Sequence, residues 1–65
     1  MAEVHVEVRY NSSVSPLVVC EFVYHEVDEM ILHSFENRTI ECIIEEQDIP
    51  KLRKIKGVLD VDIVA

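Results

Sequence analysis

Val4, Val6, Val8 and Tyr10 alternate with Glu3, His5, Glu7 and Arg9, the period of two that a strand with one buried and one wet face requires. A first strand is predicted there. Asn11-Ser12-Ser13 interrupts the pattern, and Ser15-Pro16 then offers an N-cap followed by a proline at the first helical position, where its missing N–H costs nothing. Residues 17–36 are rich in β-branched and aromatic side chains, so propensity alone favours a strand over 17–24. Periodicity points the other way. At about 100° per residue, Val19, Cys20, Val23, Tyr24, Val27, Met30, Ile31 and Phe35 gather on one side. Glu21, His25, Glu26, Asp28, Glu29, His33 and Glu36 gather on the other. One long helix stopped at Asn37 is therefore expected, with two strands split near Val27-Asp28-Glu29 as the competing reading.

Alternation returns over 39–46, where Ile40, Cys42 and Ile44 oppose Glu41, Ile43 and Glu45. Asp48 can cap a short helix running through Lys56, with Ile49, Leu52 and Ile55 toward the core and Gly57 as its stop. Residues 58–64 close the chain as a third strand, Leu59, Val61 and Ile63 inward and Asp60 and Asp62 outward. The expected fold is α+β: one domain over 1–65, a two-layer β-α-β-α-β sandwich with both helices on one face of a small three-stranded sheet. Glu3, His5, Glu7, Arg9, Glu41, Ile43, Glu45, Asp60 and Asp62 then share the open face.

The run from Asp48-Ile49-Pro50-Lys51-Leu52 through Gly57-Val58 to Asp60-Val61-Asp62-Ile63-Val64 resembles the helix, Gly-Val turn and final strand that end ferredoxin-like modules. These include ACT-type regulatory domains and the propeptide inhibitors of subtilisin-like proteases. The resemblance implies a truncated ferredoxin-like sheet, because one strand lies between the long helix and the Gly-Val turn where those families have two. It also implies two functions: binding of a small regulatory ligand, or inhibition and chaperoning of a protease.

Thirteen acidic residues against six basic ones give a net charge of −7. Nucleic-acid affinity comes mainly from Lys and Arg on phosphates, so direct nucleic-acid binding is not expected. The one basic cluster, Lys51, Arg53, Lys54 and Lys56, is too short to recruit the whole to an anionic membrane. No apolar run reaches the length of a membrane span. Residues 1–10 carry Glu3 and Glu7 in place of the basic start of a secretory signal, which makes a cytoplasmic location the expectation. Cys20 and Cys42 are too far apart for a CxxC motif and read as reduced core thiols. The sequons at Asn11 and Asn37 read as turns.

Glu21, His25, Glu29 and His33 recur every fourth residue, which on a helix stacks imidazole and carboxylate along one stripe, as zinc binding needs. A solvated helix face looks the same, and no second element supplies further ligands. Glu41, Glu45, Asp60 and Asp62 could together attract Ca²⁺ or Mg²⁺, but an acidic docking surface is the simpler reading. His25 and Cys20 project from opposite sides of the predicted helix, and no Gly-rich loop, HExxH or GxSxG is present. No enzyme activity, cofactor or metal is expected. A chain this short buries about 60% of its unfolded surface, and three strands leave two unpaired edges. The residues therefore predict an accessory interaction module that pairs with a second copy or with a larger, basic protein, through a strand edge and the acidic face.

Overall fold

A computed structural model describes residues 2–64, so both ends of the single unit expected over 1–65 lie outside the described residues. Its elements are β1 (Glu3–Tyr10), α1 (Pro16–Glu26), β2 (Glu29–Ser34), β3 (Thr39–Glu45), a 3-10 turn (Glu46–Asp48), α2 (Ile49–Arg53) and β4 (Val58–Ile63). The sheet has four strands in the order β2-β3-β1-β4, and every neighbouring pair is antiparallel. Since β1 and β2 each run against β3, they are parallel to one another with β3 between them; β3 and β4 likewise flank β1. The order β-α-β-β-α-β is thus two interleaved, split β-α-β units.

Three strands and the order β-α-β-α-β are therefore incorrect. The long helix ends at Glu26, and Val27 takes an extended conformation at φ −107°, ψ 161°. The Asp28 N–H then donates to the Ile43 carbonyl, starting the ladder that carries β2 along β3. Met30 and His33, assigned by the helical period to opposite sides, both face inward opposite Cys42 and Ile40. A register shift between Met30 and Leu32 lets this strand imitate a period of about 3.6, because a bulge turns the alternation over once. Arg38, at φ 56°, closes the β2–β3 hairpin.

β1 is in the middle of the sheet, paired with β3 from Glu3↔Glu45 to Arg9↔Thr39 and with β4 from Val6↔Ile63 to Tyr10↔Val58. The edges are β2 and β4. α2 also stops at Arg53, short of Lys56, and the crossing from β3 to β4 is completed by the 3-10 turn before it and residues 54–57 after it. Gly57 has φ +94°, and a Cβ there would meet Val14 Cγ1 at 2.6 Å, so both the turn and its packing require glycine. A register shift just after this turn leaves Leu59 exposed, not inward as expected, while Val58 faces Tyr10.

One core lies between sheet and helices: Val6, Val8, Tyr10, Ile40, Cys42, Ile44 and Val61 from the strands, Val19 and Val23 from α1, Ile49 and Leu52 from α2. Both helices thus cover the same face, and no polar side chain among the described residues is buried. Burial holds the Cys42 thiol up at about 11, since a thiolate there would lose its hydration. Cys20 is also a free thiol, less deeply placed. No helix of the described residues is long and apolar enough to cross a membrane.

Candidate functional site

The strand register places Glu3, His5, Glu7, Arg9, Glu41, Ile43, Glu45, Asp60 and Asp62 on the sheet face away from the helices. Three further residues join them from β2: Glu29 opposite Ile43, Leu32 opposite Glu41 and Ser34 opposite Thr39. One transverse row crosses all four strands as Leu32, Glu41, Glu7 and Asp62, each directly opposite the next. Like charges facing each other across strands are destabilising, so this row opposes folding to a modest degree.

Two local contacts offset that repulsion. His5 Nε2 lies 2.9 Å from Glu41 Oε1, one row away. Arg9 Nη2 donates to Asp60 Oδ2 at 2.9 Å, directly across the β1–β4 pair. The Arg9–Asp60 pair is open to water and is worth about 0–1 kcal/mol, whereas the His5–Glu41 contact is part-buried. Glu7 and Asp62 have no ion-pair partner among the described residues, so their negative charge is available to another molecule.

At one end of the face, Glu3, Glu45 and Asp28 bring carboxylate oxygens within 4.8 Å of one another. A hydrogen bond to Asp28, with the nearby negative charges of Asp28, Glu45 and Glu29, raises the Glu3 pKa above its ordinary 4.5. These are the residues that could hold a hard cation. Such ions take six to eight oxygen ligands, so three carboxylates on an open surface leave most of the shell to water. The wider group of Glu41, Glu45, Asp60 and Asp62 does not converge: Asp60 and Asp62 lie on β4, two strands away from Glu41 and Glu45 on β3.

The proposed imidazole and carboxylate stripe is dispersed. Glu21 and His25 are exposed on α1, whereas Glu29 and His33 belong to β2 and face opposite sides of the sheet. His33 instead joins the rim of the core: its Nε2 lies 2.7 Å from Tyr10 Oη, and its ring stacks on Phe35 at 4.2 Å. Burial lowers the His33 pKa below 6.5 and raises that of Tyr10, which suits a neutral imidazole accepting the phenol's proton in a hydrogen bond.

The two sheet edges differ. On β4 the Arg53 guanidinium donates to the Val61 carbonyl at 3.2 Å, and the shift near Leu59 adds a second interruption to pairing. β2 carries its own bulge and exposes Glu29, Ile31 and Leu32, with Phe35 just beyond the strand. β4 exposes Leu59 and Ile63, so what sets β2 apart is that no side chain of another element caps its outer backbone among the described hydrogen bonds. The places of Leu32, Glu29 and Asp28 beside the sheet face escaped the sequence pattern, which put Glu29 in the helical stripe, because the helical period conceals β2; the β-branched and aromatic content of 17–36 is the signal for it. The search for relatives among family models, curated proteins and solved structures found no match.

Proposed function

We propose that this chain is a non-catalytic interaction module that docks a basic protein segment on its open acidic sheet face, beginning from the β2 edge. The observation that carries the reading is the row Leu32, Glu41, Glu7 and Asp62, which runs from an apolar edge into three adjacent carboxylates, of which only Glu41 has a partner among the described residues, His5. Folding gains nothing from placing Glu41, Glu7 and Asp62 side by side, so the arrangement calls for a partner that relieves it. A strand added at β2 would supply main-chain hydrogen bonds, and its Lys or Arg side chains would reach Glu29 and Glu41. The segment would continue across the open face to Glu7 and Asp62, which lie three and four strands from the added one at about 4.8 Å per strand. The apolar edge side chains Ile31 and Leu32 would anchor it.

The small-ligand and propeptide readings rest on residues 48–64 alone, which here form α2, the Gly57 turn and β4, and no feature of the site favours either. The test is calorimetric titration with a peptide alternating Lys and Val. The native chain should bind it, and rising salt should weaken the complex. Replacing Glu7→Gln, Glu41→Gln and Asp62→Asn together should abolish binding while the fold persists. Equal affinity for the neutralised face would overturn the proposal.

A further inference from the structure

The opposite side of the molecule has a different chemistry. α1 reads Pro-Leu-Val-Val-Cys-Glu-Phe-Val-Tyr-His-Glu, yet only Val19 and Val23 are buried. Leu17 is 68% exposed, Val18 52%, Phe22 56% and Tyr24 64%. Val18 and Phe22 are four residues apart and form one ridge of the helix. Phe22 continues into an open groove of about 410 Å³ between α1 and α2, lined by Phe22, Ile55, Lys51, Lys54, Lys56 and Glu26. Three of the chain's six basic residues thus border a single apolar trough. Lys54 and Lys56 have no ion-pair partner among the described residues, and Lys51 only a 3.4 Å contact to Asp48.

We infer that this groove binds an acidic amphipathic helix of a partner protein, its apolar side chains along Val18, Phe22 and Ile55 and its carboxylates on Lys51, Lys54 and Lys56. The charge of the site selects that chemistry. In a chain of net charge −7, a lone lysine cluster around exposed aromatic and aliphatic surface is complementary to an acidic, apolar-anchored segment and to nothing basic. The carboxylates of the sheet do not cancel it, because helices and sheet form opposite layers of a molecule whose shortest extent is 17 Å. Charge is screened over about 8 Å at physiological salt. An amphipathic helix laid in an apolar groove with ionic rims is a recurrent recognition mode. The groove is independent of the acidic face, so either site can fail without the other.

The experiment uses fluorescence anisotropy with a labelled peptide of about 18 residues, leucines at i, i+3, i+4 and i+7 and glutamates elsewhere. The native chain should bind it. The double variant Lys54→Glu and Lys56→Glu should weaken binding at least about tenfold, and Phe22→Ser should do so to a similar degree. Glu26→Gln should strengthen binding, by removing the one like charge in the groove. All these positions are exposed, and unchanged circular dichroism and melting would show that the fold is intact. The triple sheet-face variant should bind the acidic peptide as the native chain does. Equal binding of the lysine-for-glutamate peptide, or indifference to Phe22→Ser and to the lysine reversals, would overturn the inference. So would a Phe22-dependent dimer by sedimentation that excludes the peptide, or binding to phosphatidylglycerol vesicles in place of it.

Discussion

The two sides of the sheet are built from alternate residues of the same strands, yet they answer to different demands. On the inner side Val6, Val8, Ile40, Cys42 and Ile44 are fully buried or nearly so, and their chemistry follows from the need to remove apolar surface from water. On the outer side their immediate neighbours Glu7, Glu41, Ile43 and Glu45 meet no covering layer. The inner residues explain why the chain folds. The outer ones do not help it fold, and Glu7, Glu41 and Asp62 in one row work against it, which is why function is sought there.

Adjacent residues of β3 put that contrast to its hardest trial. Ile40→Ala removes a side chain at 0% exposure and should cost about 2–5 kcal/mol by chemical denaturation. Glu41→Gln, one residue on, should change stability by less than about 0.5 kcal/mol or raise it slightly. Comparable losses at both positions would erase the distinction between the two sides.

A smaller effect comes from His33, the inward residue of β2 at the edge of the core. Its pKa is lowered from 6.5 in the folded chain, so the unfolded chain takes up the proton more readily. The contribution of neutral His33 is thus present above pH 6.5 and lost as the pH falls below it. Unfolding free energy should decline over that interval, and His33→Gln should flatten the decline. Glu3, on the outer side, has the opposite sign. Its pKa is raised by Asp28 and Glu45, so neutralising it on acidification relieves repulsion and favours the fold, and Glu3→Gln should remove that gain.

The thiols give the mildest probe. Cys42 is buried with its pKa at about 11, whereas Cys20 is partly accessible. Iodoacetamide at neutral pH should therefore add one group to the folded chain, at Cys20, by mass spectrometry, and two after unfolding. Early labelling of Cys42 would mean that the inner layer opens easily.

The same division explains what could be read from the residues. β1, β3 and much of β4 were legible because their alternation matches a sheet wet on one side, and Ser15-Pro16 and Gly57 marked the start of α1 and the turn before β4. β2 was hidden. It sits at an edge with Ile31 and Leu32 exposed, carries a bulge that mimics helical spacing, and follows α1 with neither Gly nor Pro between them. Its hairpin turns through Arg38 at φ 56°, a conformation more often given to Gly or Asn. The outer-face residues on β1, β3 and β4 could be named in advance, but their neighbours could not. Direct opposition of Leu32, Glu41, Glu7 and Asp62 depends on strand order, and strand order is fixed by long-range pairing that no local pattern records.

Amide chemical-shift mapping during titration with the Lys-Val peptide is the most direct measurement. Shifts confined to β2 and to the outward positions around Glu41, Glu7 and Asp62, fading as salt is raised, are the predicted result. Shifts on α1 and α2, or none at saturating peptide, would contradict the assignment of the acidic sheet face as the docking surface.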